Sequence, residues 1–147
     1  MVNNKFKIIA TIIGILGLAD SVYLTILKLT SNESMCIKGV GDCWTVNSSI
    51  YSQIFGIPIS AIGALAYLAF ILAVLLEDRS EFFRIYSVYM MFGITLIGVL
   101  YSAYLTYLEI AIIRAVCPLC IFSALLMLTL FILTVSRLVS PQVETST

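Results

Sequence analysis

The sequence predicts an all-α integral membrane protein: a four-transmembrane-helix bundle with a long external loop that carries a short interfacial helix. Three observations lead there. Of the 147 residues, 61% are hydrophobic and 11% charged, so eight acidic and eight basic side chains cannot cover a soluble surface of this size. Four apolar runs reach the ~20 residues that a hydrocarbon core demands. Between the first two runs lies the one sizeable polar stretch, "TSNESMCIKGVGDCWTVNSSIYSQIFG". The expected layout is a single domain over 1–147, with helices at about 6–29, 57–76, 85–108 and 117–139 and a loop over 30–56.

The first helix follows Lys5 and Lys7. Its apolar run is longer than the ~7–15 residues of a cleavable signal core, and no A-x-A-like site follows, so it reads as an uncleaved span. Asp20 lies within it, where an ionisable group is costly. It is either a proton carrier or a group that tunes a bound molecule, or a carboxylate that reaches water or Lys28. In the loop, Gly39 and Gly41 mark a mobile first part. Val46, Ile50, Ile54 and Ile57 then recur every three or four residues among polar ones, which predicts an amphipathic helix lying on the membrane surface. Asn32 and Asn47 begin N-x-S sequons there, a pattern common by chance.

Pro58 opens the second helix and "EDR" closes it. Tyr101, Tyr104 and Tyr107 near the end of the third suit an interface belt. The fourth begins "CPLC", with Pro118 in the first turn, where a missing N–H is tolerated. Lys5, Lys7, Arg79, Arg84 and Arg137 fall on one side, and Lys28, Lys38 and Arg114 on the other. That bias favours a multi-pass protein of the cell membrane with both termini cytoplasmic and all four cysteines extracytoplasmic. An internal echo fits this layout. "SVYLTILK" from Ser21 matches "SAYLTYLE" from Ser102, and in each copy a cysteine follows fifteen residues after the serine, Cys36 and Cys117.

Net charge is zero without basic clusters, which argues against nucleic acid. There is no histidine, so the commonest general base and metal ligand is missing. The most reactive groups are therefore Cys36 and Cys43 in the loop and Cys117 and Cys120 at a helix head. Three uses compete. A four-thiolate metal-binding scaffold is disfavoured by the loose C-x6-C half and by the membrane depth of the other, so no metal is expected. Two static disulfides outside the cell are a second use. The third, favoured, is a redox relay. At a helix N-terminus the dipole stabilises thiolate, which places Cys117 to exchange with another sulfur, while Cys120 lies one turn deeper, facing the bundle.

The ordered set "CIKGVGDCWTVNSSIYSQIFGIPISAIGALAY" and "CPLC" resembles the prokaryotic homologues of vitamin K epoxide reductase over nearly the whole chain. The resemblance implies a thiol-disulfide oxidoreductase whose four helices surround a quinone (menaquinone, ubiquinone or similar). It further implies that a thioredoxin-fold, DsbA-like partner reduces a Cys36–Cys43 disulfide, that Cys43 exchanges with Cys117, and that Cys120 passes the electrons to the quinone. Ser49 would lie by the quinone carbonyl. Phe55, with Trp44, is a candidate to cap the quinone site, an interfacial anchor being the plainer role. Many members carry a fused thioredoxin-like domain, so here the partner is expected to be separate. Animal members that act on vitamin K carry a tyrosine four residues after the last active cysteine. Ala124 stands there, which favours quinone reduction over the rival use as an epoxide reductase fed by thiols in inverted orientation. The DsbB type sets its C-x-x-C in the first external loop and fits less well.

Overall fold

A computed structural model describes residues 2–30, 45 and 48–139. The expected all-α membrane architecture is the one observed. Helix α1 covers Val2–Thr30, α2 Ile59–Leu76, α3 Glu81–Tyr107 and α4 Pro118–Val139. Among the described residues these four, with α3 prolonged to Ile113, are long and apolar enough to cross a membrane. Each packs against the next and α4 returns to α1, so the bundle closes as an up-down ring. Short connections at 77–80 and 114–117 make the neighbours antiparallel.

The bundle is apolar outside and partly polar inside. Ile8, Ile12, Leu65, Leu72, Leu100 and Leu125 point outward. Ser87, Thr95 and Thr134 are buried. Thr95 and Thr134 satisfy their hydroxyls on the carbonyls four residues back, Met91 and Leu130, each at 2.8 Å. Such bonding spares an uncompensated polar group where no water reaches. Between them pack Ala10, Tyr67, Phe70, Met91, Met127 and Leu130.

Two expectations are corrected. The third helix starts at Glu81, not near 85, because Ser80 caps it: the Phe83 N–H donates to Ser80 Oγ at 3.3 Å. The helical periodicity through Ile54 and Ile57 does not continue as a helix. Ile50–Ser52 is a single 3-10 turn, and the strands β1 (Gln53–Ile54) and β2 (Ile57–Pro58) then form an antiparallel hairpin. Phe55 and Gly56 both have positive φ, 52° and 82°, as a two-residue type I′ hairpin turn needs. Gly56 adopts this without steric cost. Cys36, Cys43, Trp44, Val46 and Asn47, with the mobile loop expected around them, lie outside the described residues.

At the end opposite the hairpin, charges staple the helices. The Glu77 carboxylate, fully buried, takes both guanidinium nitrogens of Arg137, the Arg137 Nη1 bond being 2.8 Å. The same guanidinium lies 4.8 Å from the Phe6 ring centre. Lys7 pairs with Asp78. The termini of α1 and α4 and the α2–α3 turn are thus held together, with the cations Lys7, Arg79, Arg84 and Arg137 at this one end. Removing one partner of a buried pair typically costs about 3–5 kcal/mol. Arg137→Ala is therefore expected to lower the thermal midpoint in detergent by several degrees, while Arg84→Ala, at an exposed site, leaves it within about one degree.

Candidate functional site: the helix head and the cavity beneath it

The site starts from a break in the chain. Past Tyr107 the third span widens into a π-turn, Leu108–Ile113, and Arg114 closes it in the left-handed conformation at φ 56°. The Glu109 carbonyl accepts from Arg114 N–H and from Ala115 N–H, the latter at 3.1 Å. This caps the helix end as a Schellman-like turn. Four residues later α4 begins at Pro118, with its first turn closed by the Ile121 N–H on the Cys117 carbonyl at 3.1 Å. The linker amide of Cys117 is left needing an acceptor. Glu109 supplies it: the Cys117 N–H donates to Glu109 Oε2 at 3.2 Å. The Cys120 thiol hydrogen-bonds to the same carboxylate. Glu109 is 3% exposed.

The two cysteines face different surroundings. Cys117 is fully buried against Leu24 and Leu27 of α1. Cys120, one turn along, lines a cavity of about 400 Å³ walled by residues of all four helices and the segment 49–54. Its wall is mostly aliphatic, with Leu24, Ile62, Ile94 and Ile97 among the lining residues, and hydroxyls of Ser21, Ser49 and Ser102 interrupt it. Lys28 of α1 donates to Ser52 Oγ and so ties the 3-10 turn over the cavity mouth. Across the wall Thr25 Oγ1 donates to Ser60 Oγ at 3.0 Å.

Deeper in, Tyr67 closes the cavity. Its hydroxyl donates to the Ser123 carbonyl at 2.8 Å and lies 3.1 Å from Ser123 Oγ. The ring rests directly on Gly17, where a Cβ would overlap it. Asp20 lies one turn along α1 from Gly17 and is 9% exposed, and its Oδ2 has no hydrogen-bond partner among the described residues. It neither reaches water freely nor takes the bond to Lys28 that was one of its alternatives.

Of the sequence-predicted site residues, Ser49 and Cys120 meet in the cavity wall and Cys117 stands directly behind it. Phe55 is not brought to that wall. It occupies the hairpin tip, 99% exposed, because the turn projects it away from the bundle. Cys36 and Cys43 lie outside the described residues. Ala124 and Tyr101 line the cavity, whereas Tyr104 and Tyr107 face outward. Sequence reasoning passed over Glu109. Its signal was a carboxylate inside the apolar run "YLEIAII", eight residues before Cys117.

Residues 8–135 match the model of the vitamin K epoxide reductase family. The chain belongs to the vitamin K epoxide reductase family. It is also 35% identical over 121 residues to a curated family relative, the thiol-disulfide oxidoreductase LTO1 of Arabidopsis thaliana. That alignment covers 79% of this chain and 32% of the relative, so the chain spans about a third of the plant protein's length. In this family member the cavity depends on the Gly17–Tyr67 contact. Gly17→Ala is expected to push the ring aside, break its bond to Ser123 and cost about 1–3 kcal/mol by overpacking, read as a lowered thermal midpoint.

Proposed function

We propose that the protein is a membrane thiol:quinone oxidoreductase that re-oxidises a thioredoxin-fold, DsbA-like partner. The observation that carries this reading is the position of Cys120: on the wall of an apolar cavity, one helical turn from a cysteine at the helix head. Cavities of this volume and lining suit small apolar ligands fixed by a few polar groups. The residues present fit a quinone head. Aliphatic side chains from the four helices would hold the ring, and Ser49, Ser21 or Ser102 would offer a hydroxyl to a carbonyl oxygen. A bound quinone supplies a two-electron, two-proton acceptor.

The chain's own residues do the rest. Cys36 and Cys43 meet the partner, and a thiolate from that pair attacks Cys117. The α4 N-terminus favours thiolate at Cys117, and hence its exchange with another sulfur. Cys120 then carries the electrons to the acceptor inside the bundle. The aliphatic wall keeps water from the exchange, and Ala124 leaves open the space that a tyrosine would fill. That small side chain favours quinone reduction over epoxide chemistry. The charge bias supports a topology with this end of the bundle outside the cytoplasm.

The test is steady-state quinone reduction by purified protein with a reduced thioredoxin-fold partner. Alanine at Cys36, Cys43, Cys117 or Cys120 should each lower partner oxidation by at least a hundredfold, and alanine at Cys117 or Cys120 should also abolish quinone reduction driven by dithiothreitol. Cys120→Ala protein that still reduced quinone would overturn the reading. Ala124→Phe should raise the KM for a quinone at least tenfold by filling the cavity, with the thiol exchange between the two cysteine pairs unchanged.

A further inference from the structure

Glu109 has no place in the relay as described, yet it touches both ends of its inner pair. Among the described residues it is the acidic one on the cavity wall, 3% exposed, at the level of the helix head. Its Oε2 takes the Cys117 amide at 3.2 Å, and the Cys120 thiol bonds to the same carboxylate. A structural role needs only the first contact: a backbone amide at membrane depth requires an acceptor, which glutamine would also provide. The second contact sets an ionisable group against a sulfur that must gain and lose a proton on each turnover. In the internal echo Glu109 occupies the place that Lys28 holds in the first copy. Lys28 bonds Ser52 at the cavity mouth, so both copies send their last polar side chain into this end of the bundle.

We propose that Glu109 is a catalytic residue of this chain, the acid–base group of the Cys117/Cys120 pair. The inference rests on the reading of that pair as the inner step of the relay. When a thiolate of the loop pair attacks Cys117 Sγ, a new S–S bond forms and the Cys117–Cys120 bond breaks. Cys120 Sγ departs with the electron pair, and the Glu109 carboxyl gives it a proton. The second loop thiolate then attacks the loop sulfur of this mixed disulfide, re-forming the loop S–S bond and releasing Cys117 as a thiolate. With a quinone bound as the two-electron acceptor, Cys117 and Cys120 would re-form their bond, the Cys120 thiol returning its proton to the Glu109 carboxylate. The Glu109 proton is not consumed. The two protons that end on the hydroquinone balance the two released by the partner dithiol.

Among the described residues, these titratable groups stand around it. Cys117 and Cys120 of α4 touch Glu109 itself. Tyr101 of α3, Tyr67 of α2 and Tyr51 of the loop line the same cavity, and Lys28 of α1 stands at its mouth, held to Ser52. Acid–base groups of this kind contribute about 10²–10⁴-fold in rate.

The test needs no quinone. Oxidised full-length protein in detergent is mixed with excess dithiothreitol, quenched with an alkylating reagent, and each cysteine scored by mass spectrometry between pH 5 and 9. In Glu109→Gln the thiols of Cys36 and Cys43 should appear at the wild-type rate, because the outer exchange is untouched. The Cys120 thiol should appear at least a hundredfold more slowly, without the wild-type limb on which the rate falls as Glu109 loses its proton. Glu109→Asp, still ionisable but one methylene shorter, should be slowed less and keep a limb, displaced in pH.

A Glu109→Gln rate within threefold of wild type, or both variants slowed equally with the wild-type pH profile, would leave Glu109 as an amide acceptor only and overturn the proposal. Should Glu109→Gln not fold, the Glu109→Asp profile decides, an unchanged one overturning the assignment. Failure of the underlying reading looks different: Cys120→Ala would then reduce quinone normally, whatever Glu109 does.

Discussion

Inside a bilayer every backbone amide must find its partner within the protein, and a chain that stops one helix and starts another at membrane depth has to meet that demand with side chains. Between Ile113 and Pro118 one residue does most of it. The Glu109 carbonyl receives Arg114 and Ala115, and its carboxylate receives Cys117. Pro118, which has no N–H, removes another donor from the head of α4. With these groups satisfied, Cys117 is fixed at the helix start and Cys120 one turn on, at the cavity wall. Move Glu109, and both thiols lose their positions.

The remainder of the molecule separates two tasks by distance along the bundle. The end that holds the termini is stapled by Glu77 with Arg137 and Lys7 with Asp78, both charge pairs tying a helix to the α2–α3 turn. The other end is left to hydroxyls, thiols and a cavity. The two copies of the echoed segment converge there. Ser21 and Ser102 both line the cavity, Thr25 bonds Ser60 of its wall, and Thr106 lies on that wall. Lys28 and Glu109 then finish the two copies with opposite charges, one fixing the covering turn and the other the helix head. What looks like a weak repeat in sequence is, in space, two walls of one chamber.

The helices were legible because lipid imposes a length and an apolarity that few other structures require, and "EDR" and "CPLC" punctuate them. The pairing of Ser49 with Cys120 across one cavity followed from the ordered family motif. The segment from Ile50 to Ile57 was misread because isoleucines at a helical spacing look the same whether a helix continues or a hairpin interrupts it. Here two consecutive positive φ values at Phe55 and Gly56 decide for the hairpin and carry Phe55 away from the cavity. Ser80 caps the third helix ahead of the apolar run that the expected boundary follows. Glu109 and the Glu77–Arg137 pair were hidden for another reason: their partners are 8 and 60 residues away, a relation that periodicity does not report.

The claim on which all else rests is that the helix-head pair hands its electrons to an acceptor in the cavity. A single-turnover measurement tests it most directly. Fully reduced protein is mixed without oxygen with one equivalent of a menaquinone analogue, and hydroquinone formed is compared with thiols lost at each cysteine by differential alkylation. The account predicts that one quinone is reduced for each Cys117–Cys120 disulfide formed, at a time when Cys36 and Cys43 are still thiols. Quinone reduced while Cys117 and Cys120 both stay open to alkylation would contradict it.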